Sequence, residues 1–321
     1  MAEEFVVTNP RFMEQLAQSI VAPLAAAISN PHELSARYEL LCRDSSTKEF
    51  IDAAGGLAAA LEPDNKPKNR YSNVLPYENT RVQLRDGGYI NANMIEGAPL
   101  GVPTAYIACQ GPLKATQADF WQMVWEQGVR VVVMVAREVE AGQEKCSVYW
   151  NTDKHRNLTV ELTETERERN NVVLRRLRVT NGTETRDVIQ LQYVAWPDFG
   201  VPETTSDILT LLAQMEAAQG AAEAQPPIVV HCSAGVGRTG TLITVHVCLT
   251  QLQRAIARGE ASPLDIEAVV RRLRACRTLM VQKKDQFLFC HQAVLEGVGA
   301  MLRSNGETYV ASPAKDPHPL V

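Results

Sequence analysis

The chain lacks any apolar run long enough to cross a bilayer: its longest, 131–136 and 21–28, fall well short of the roughly 18 residues a spanning helix needs. It also lacks a secretory start, opening with Glu3 and Glu4 and soon reaching Asn9-Pro10 rather than a basic segment followed by an apolar core. A reducing, cytoplasmic location is the expectation. Seven cysteines are present, but no Cys-x-x-Cys pair and no histidine at zinc-finger spacing, which excludes a disulfide scaffold and a structural zinc site. Basic charge is not in excess: 32 Lys and Arg face 37 Asp and Glu, a net charge of −5. Nucleic acid and anionic membranes are therefore not default partners, and any anion site has to be built locally. No repeat or low-complexity tract of diagnostic length occurs.

What remains is a globular composition, 45% hydrophobic and 21% charged over 321 residues, enough for one large domain or two at most. Helical spacing of Ala, Leu and Glu over 9–61 predicts two or three helices forming a cap. A polar, proline-bearing segment at 63–69 then leads into extended structure. The β-rich runs 106–109, 129–135, 145–150, 159–163, 172–179 and 189–194 predict a many-stranded sheet, with antiparallel hairpins where no helix intervenes. Helices are expected over 205–222, 239–257, 263–274 and 284–302, with a short buried strand at 227–231. The expected organisation is a single domain over 1–303, with a helical cap at 1–62, a core at 63–303 and a disordered tail at 304–321.

Chemistry concentrates in Pro227-Ile-Val-Val-His231-Cys232-Ser233-Ala234-Gly235-Val236-Gly237-Arg238-Thr239-Gly240, where an apolar strand runs into a loop of small residues and then a helix. Small residues let successive backbone N–H groups curl inward, and the helix adds its positive end, which together suit a phosphate dianion. Arg238 adds a planar fork that grips two phosphate oxygens. The same donors favour a thiolate at Cys232, a nucleophile at neutral pH. The spacing alone is weak evidence, because Cys248 and Arg254 share it within a glycine-free helical pattern and read as structural.

The HCSAGVGRTG loop closely resembles the signature of the tyrosine-specific, cysteine-dependent protein tyrosine phosphatases. The resemblance continues through Lys68-Asn-Arg-Tyr71, Val74-Leu-Pro-Tyr-Glu with Arg81, Tyr89-Ile-Asn-Ala-Asn93, Tyr106-Ile-Ala-Cys-Gln-Gly-Pro112, Asp119-Phe-Trp121 and Trp125-Glu126. It ends with Glu140, Lys145-Cys146, Tyr149-Trp150, Trp196-Pro-Asp-Phe-Gly-Val-Pro202, Gln282 and Gln286, and so covers about residues 63 to 300. It implies an α/β fold of the α+β type, a highly twisted mixed sheet flanked by helices. The implied activity is metal-independent and cofactor-free: Cys232 attacks phosphorus, Arg238 binds the phosphate in the loop from Ser233 to Gly237, and water hydrolyses a cysteinyl-phosphate. Phosphotyrosine proteins are the implied partners, and phosphate and oxyanion inhibitors should bind at the same loop.

Chemistry and resemblance agree on a carboxyl that gives a proton to the leaving phenolate and later takes one from water. Asp198, beside Trp196 and Phe199, is that residue by resemblance. Gln282 matches the glutamine that positions the hydrolytic water, Gln286 the substrate-side glutamine beside it, and Thr239 a hydroxyl that bonds the leaving thiolate, although a helix-start threonine is equally expected to cap. His231 matches a histidine that supports the thiolate through the loop backbone. Glu140 and Lys145 alone read as solvated charges, but the resemblance gives them the orienting of the arginine and the acid. Tyr71 implies an aromatic wall whose depth excludes phosphoserine and phosphothreonine. Asn73 replaces the usual aspartate, Lys283 a threonine and Thr278 a proline, which puts peptide grip and water positioning in question. Arg274 reads as a helix-face arginine. A phosphotyrosine-binding pseudophosphatase and a dual-specificity or phosphoinositide phosphatase are the alternatives.

Overall fold

Val131–Met134 and Ile228–His231 are short, β-branched and buried along their whole length, the pattern of strands covered on both faces. In the computed structural model, which describes residues 10–167, 171–197, 200–220 and 225–304, they lie in the middle of the sheet. The strands are β1 (Ala92–Ile95), β2 (Tyr106–Cys109), β3 (Val131–Met134), β4 (Val139–Glu140), β5 (Gln143–Glu144), β6 (Asp153–His155), β7 (Leu158–Arg167), β8 (Val172–Asn181), β9 (Glu184–Tyr193) and β10 (Ile228–His231). Eight of them form one mixed sheet in the order β1-β2-β10-β3-β9-β8-β7-β6, and β4 and β5 form a separate hairpin. β10 runs parallel to both neighbours, with His231 level with Cys109 on one side and Met134 on the other. β6 to β9 are antiparallel, as expected for runs without intervening helices.

Residues 145–150, expected as a strand, join no ladder. Their backbone groups are bound by other partners: Ser147 N–H donates to the Pro112 carbonyl at 2.9 Å, and the Trp121 indole and Gln117 amide donate to the carbonyls of Tyr149 and Val148. An extended segment satisfied in this way needs no neighbouring strand.

The helices are α1 (Pro10–Leu16), α2 (Ala22–Ser29), α3 (Pro31–Asp44), α4 (Lys48–Ala53), α5 (Ala58–Leu61), α6 (Gln117–Glu126), α7 (Ser206–Gln219), α8 (Gly237–Ala257), α9 (Ile266–Cys276) and α10 (Lys284–Ser304), with a π-helical turn at Ala17–Val21 between α1 and α2. Among the described residues the N-terminal region thus holds five helices rather than two or three, because Asn30 and Thr47 cap new starts within the periodic run. α6 was not among the expected elements. α8 is rich in β-branched residues and buried on nearly every side, so packing overrides its modest helix propensity. α10 continues to Ser304, and the rest of the expected tail, 305–321, lies outside the described residues.

The cap shares one continuous core with the sheet: Leu16, Ile20, Leu34, Tyr38 and Leu41 join Phe287 and Val281, and the Tyr38 and Phe287 rings lie 5.6 Å apart. Leu41→Ala should therefore lower global stability by about 2–5 kcal/mol in a single cooperative urea transition. A separate early transition of the cap would contradict a shared core.

Candidate active site

β10 delivers Cys232 to the carboxyl end of the central parallel strands, where open α/β sheets place their ligands. Beyond it the chain curls through Ser233 to Val236 and enters α8 at Gly237. Gly235 has φ +71°, and a Cβ there would sit 1.9 Å from the Cys109 carbonyl oxygen, so only glycine fits. Its N–H donates to Cys232 Sγ at 3.3 Å. Arg277, fully buried, donates from Nε to the Gly235 carbonyl at 2.8 Å and from a terminal nitrogen to Ala234 at 3.0 Å. Its remaining donors reach Asn93 and Asn91 at 2.8 and 2.7 Å. Burial lowers its pKa to about 10, so it remains a cation at neutral pH. The loop carbonyls are thereby held toward Arg277 and the N–H groups are left for an anion.

Arg238 forms a two-pronged pair with Glu140 at 2.6 and 2.8 Å and also donates to the Pro197 carbonyl at 3.1 Å. Glu140 is buried, not the solvated charge its residue type suggests. It ends β4 just before Ala141 and Gly142, whose positive φ angles of 47° and 75° make a tight two-residue turn into β5. Lys145 is half-buried and bound through its backbone: its N–H donates to Glu138 and its carbonyl accepts from Ser233 Oγ at 2.9 Å.

His231 is wholly buried, and burial lowers its pKa to about 4. Because the Cys232 carbonyl, 3.1 Å from Nδ1, can only accept, Nδ1 carries the proton and Nε2 accepts from the Tyr149 hydroxyl at 2.6 Å. Tyr149 in turn accepts from the Gln190 amide at 2.7 Å, and Gln190 from Arg175 at 2.9 Å. Every bond in this buried chain points toward the Cys232 peptide, so each strengthens the next.

A cavity of about 320 Å³ opens over the loop, lined by Tyr71, Asn73, Lys145, Cys232, Arg238, Gln282, Lys283 and Gln286 among others. Tyr71 is half-buried and its hydroxyl meets Ser233 Oγ at 2.9 Å. Gln286 Oε1 accepts from the backbone N–H of Gln282 at 3.0 Å and of Lys283 at 3.2 Å. Thr239 does not cap α8, because the N-cap position is Val236; its hydroxyl is buried without a hydrogen-bond partner. Trp196 is buried against Tyr193 and Phe289 and donates to the Gly200 carbonyl at 3.3 Å. Asp198 and Phe199 lie outside the described residues. Cys248 and Arg254 fall inside α8, with Cys248 fully buried. Arg274 is not a surface arginine: it is 1% exposed and bound on several sides. Among the described residues, no group of three or more His, Cys, Asp or Glu could hold a metal ion.

Reading the sequence missed Arg277, Tyr149 and Gln190 as parts of the site. Only Asn91 and Asn93, polar side chains in an otherwise apolar stretch, hint that a buried donor waits for them.

A family model described as protein-tyrosine phosphatase matches residues 65–296. The chain is 39% identical over 259 residues to receptor-type tyrosine-protein phosphatase zeta of Rattus norvegicus, covering 74% of this chain and 11% of that protein. It is 37% identical over 268 residues to tyrosine-protein phosphatase non-receptor type 18 of Homo sapiens, covering 80% and 57%. The crystal structure of the catalytic domain of the human type 18 protein superposes with a TM-score of 0.74 at 35% identity, over 83% of this chain and 96% of that one.

Burial of neutral His231 has a pH consequence. Its folded pKa of about 4 lies below the ordinary value of about 6.5, so the unfolded chain binds more protons between the two. Stability is full above about pH 6.5 and falls as pH drops toward 4, by up to about 3 kcal/mol from this group. Urea unfolding at pH 7 and pH 4.5 should show this loss in the wild type and a smaller one in His231→Asn.

Proposed function

We propose that this chain, which belongs to the protein-tyrosine phosphatase family, hydrolyses phosphotyrosine in proteins through a cysteinyl-phosphate intermediate. The observation that carries the reading is Cys232 Sγ held by the Gly235 N–H at the floor of a cavity flanked by Arg238, itself set in place by Glu140. Sγ attacks phosphorus along the axis of the scissile bond while the loop amides and Arg238 hold the equatorial oxygens, whose charge is spread in the transition state. The P–O bond breaks and the departing phenolate takes a proton from Asp198. Support for that acid comes from its neighbour: the Pro197 carbonyl is bonded to Arg238, so the backbone one residue earlier already touches the phosphate-binding fork.

In the second step water attacks the phosphocysteine, Asp198 takes the proton, and the thiolate leaves. Gln282 orients the water, and the unpaired Thr239 hydroxyl gains a partner in the leaving sulfur. Tyr71 on the cavity wall stacks on the substrate ring and sets a depth that phosphotyrosine spans and phosphoserine does not. No step needs a metal, and a nucleophile that must stay a free thiol supports a reducing compartment such as the cytoplasm.

Hydrolysis of a phosphotyrosine peptide with chelator present should fall by roughly 10³-fold or more in Cys232→Ser. Turnover that survives this change sinks the mechanism, and a folded wild type that binds without turnover is a binding module. Asp198→Ala should lower kcat by about 10² to 10⁴ with KM little changed; a matching loss of affinity contradicts the acid role. Peroxide should inactivate the enzyme, with protection by phosphate and recovery with thiol. Faster turnover of an inositol phospholipid than of the peptide would overturn the role given to Tyr71.

A further inference from the structure

Val281 has φ +57°, and Leu279 before it φ +56°. A β-branched residue holds this left-handed conformation only where its surroundings over-determine it. Those surroundings come from two distant parts of the chain. The Val281 N–H donates to the Val236 carbonyl of the phosphate-binding loop at 3.1 Å, and α8 approaches so closely that a Cβ on Gly240 would lie 2.4 Å from that nitrogen. The Val281 carbonyl accepts from the Tyr38 hydroxyl at 3.1 Å and from Arg274 at 2.9 Å. Tyr38 belongs to α3, more than two hundred residues earlier in the chain.

Arg274 completes the latch. Its Nε donates to the Met280 carbonyl at 2.9 Å, another nitrogen reaches Ser45 Oγ on the cap at 2.9 Å, and its guanidinium lies 5.4 Å from the centre of the Tyr38 ring. Tyr38, Arg274 and Val281 are buried, and burial raises the Tyr38 pKa, so its hydroxyl keeps the proton it donates. The Val281 carbonyl and the Gln282 N–H belong to one planar peptide unit. The carbonyl end is held by Tyr38 and Arg274, and the N–H end by Gln286 Oε1 at 3.0 Å. Gln282 therefore starts from a peptide plane that cannot rotate unless the latch opens.

We propose that Tyr38 and Arg274 are positioning residues for the hydrolytic step, through which the N-terminal helices aim Gln282 at the attacking water. The inference rests on the roles proposed above for Cys232 and Gln282. In that step the water oxygen bonds to phosphorus, the P–S bond breaks, its electron pair stays on Cys232, and the water proton goes to Asp198. The first step uses neither the water nor Gln282. Loosening the latch therefore slows breakdown of the intermediate without slowing its formation.

Rapid mixing with p-nitrophenyl phosphate separates the two. In Tyr38→Phe, which keeps the ring and loses only the donor, kcat should fall roughly three- to tenfold, with kcat/KM within about twofold of wild type, since that ratio ends at the first irreversible step. KM falls with kcat, a burst of nitrophenolate appears, and acid quenching traps phosphoenzyme. Arg274→Lys, which keeps the charge and loses the fork, should behave alike and serves if Tyr38→Phe folds poorly. Leu41→Ala, which weakens cap packing while keeping every donor and acceptor of the latch, should show no burst.

Equal falls in kcat and kcat/KM, no change in either, or a burst in Leu41→Ala would each overturn the proposal. Gln282→Ala is the reference. If it accumulates no phosphoenzyme, the underlying assignment of Gln282 fails; if it does and the latch variants do not, only the latch fails.

Discussion

Arg277 makes four hydrogen bonds in a space that water does not reach, two to carbonyls of the cysteine loop and two to the asparagines of the β1 region. The rest of the site depends on them. A loop that gathers an anion must present its N–H groups and turn its carbonyls away, and buried carbonyls without donors are costly. A single planar cation with five donors resolves this, and it also adds positive charge behind the site. The glycines follow from the same demand: the loop passes so near the Cys109 carbonyl that a side chain at Gly235 has no room.

The charges around this loop are arranged by partner as well as by type. Arg238 is aimed by a carboxylate that is itself buried, Glu140, and Glu140 is aimed by a tight turn and by the Arg137 N–H at 2.9 Å. His231 is kept neutral by burial and given one tautomer by the carbonyl it must donate to. The Cys232 side of the cavity is thus backed by oriented dipoles and the opposite side by a fixed cation. The strained turn before Gln282 extends the arrangement outward, tying the Cys232 loop on one side to the N-terminal helices on the other.

Much of this is legible in the sequence. The alternation and β-branching of 172–179 and 189–194, the apolar strand ending at His231 and the helical spacing of 239–257 all report local preferences that folding left in place. The site was legible where its chemistry is local: cysteine, glycines and arginine stand within seven consecutive positions. Residues 145–150 misled because alternation marks an extended backbone without saying what satisfies it, and here loop carbonyls and side chains do so. α6 was missed as an element, and the cap divided into more helices than its periodicity shows, because caps such as Asn30 and Thr47 interrupt a run without breaking its spacing.

By itself the sequence determined the strand-loop-helix that presents Cys232, the helix-capable and strand-capable segments around it, and the residue types able to bind phosphate. Only the tertiary structure decided what orients them: Arg277 under the loop, Tyr149 and Gln190 behind His231, Glu140 on Arg238, and Tyr38 with Arg274 on the turn before Gln282. The reason is burial. An arginine or glutamate in a string of letters is a solvated charge by default, and it becomes a fixed donor or acceptor only when folding removes its water and leaves one partner within reach.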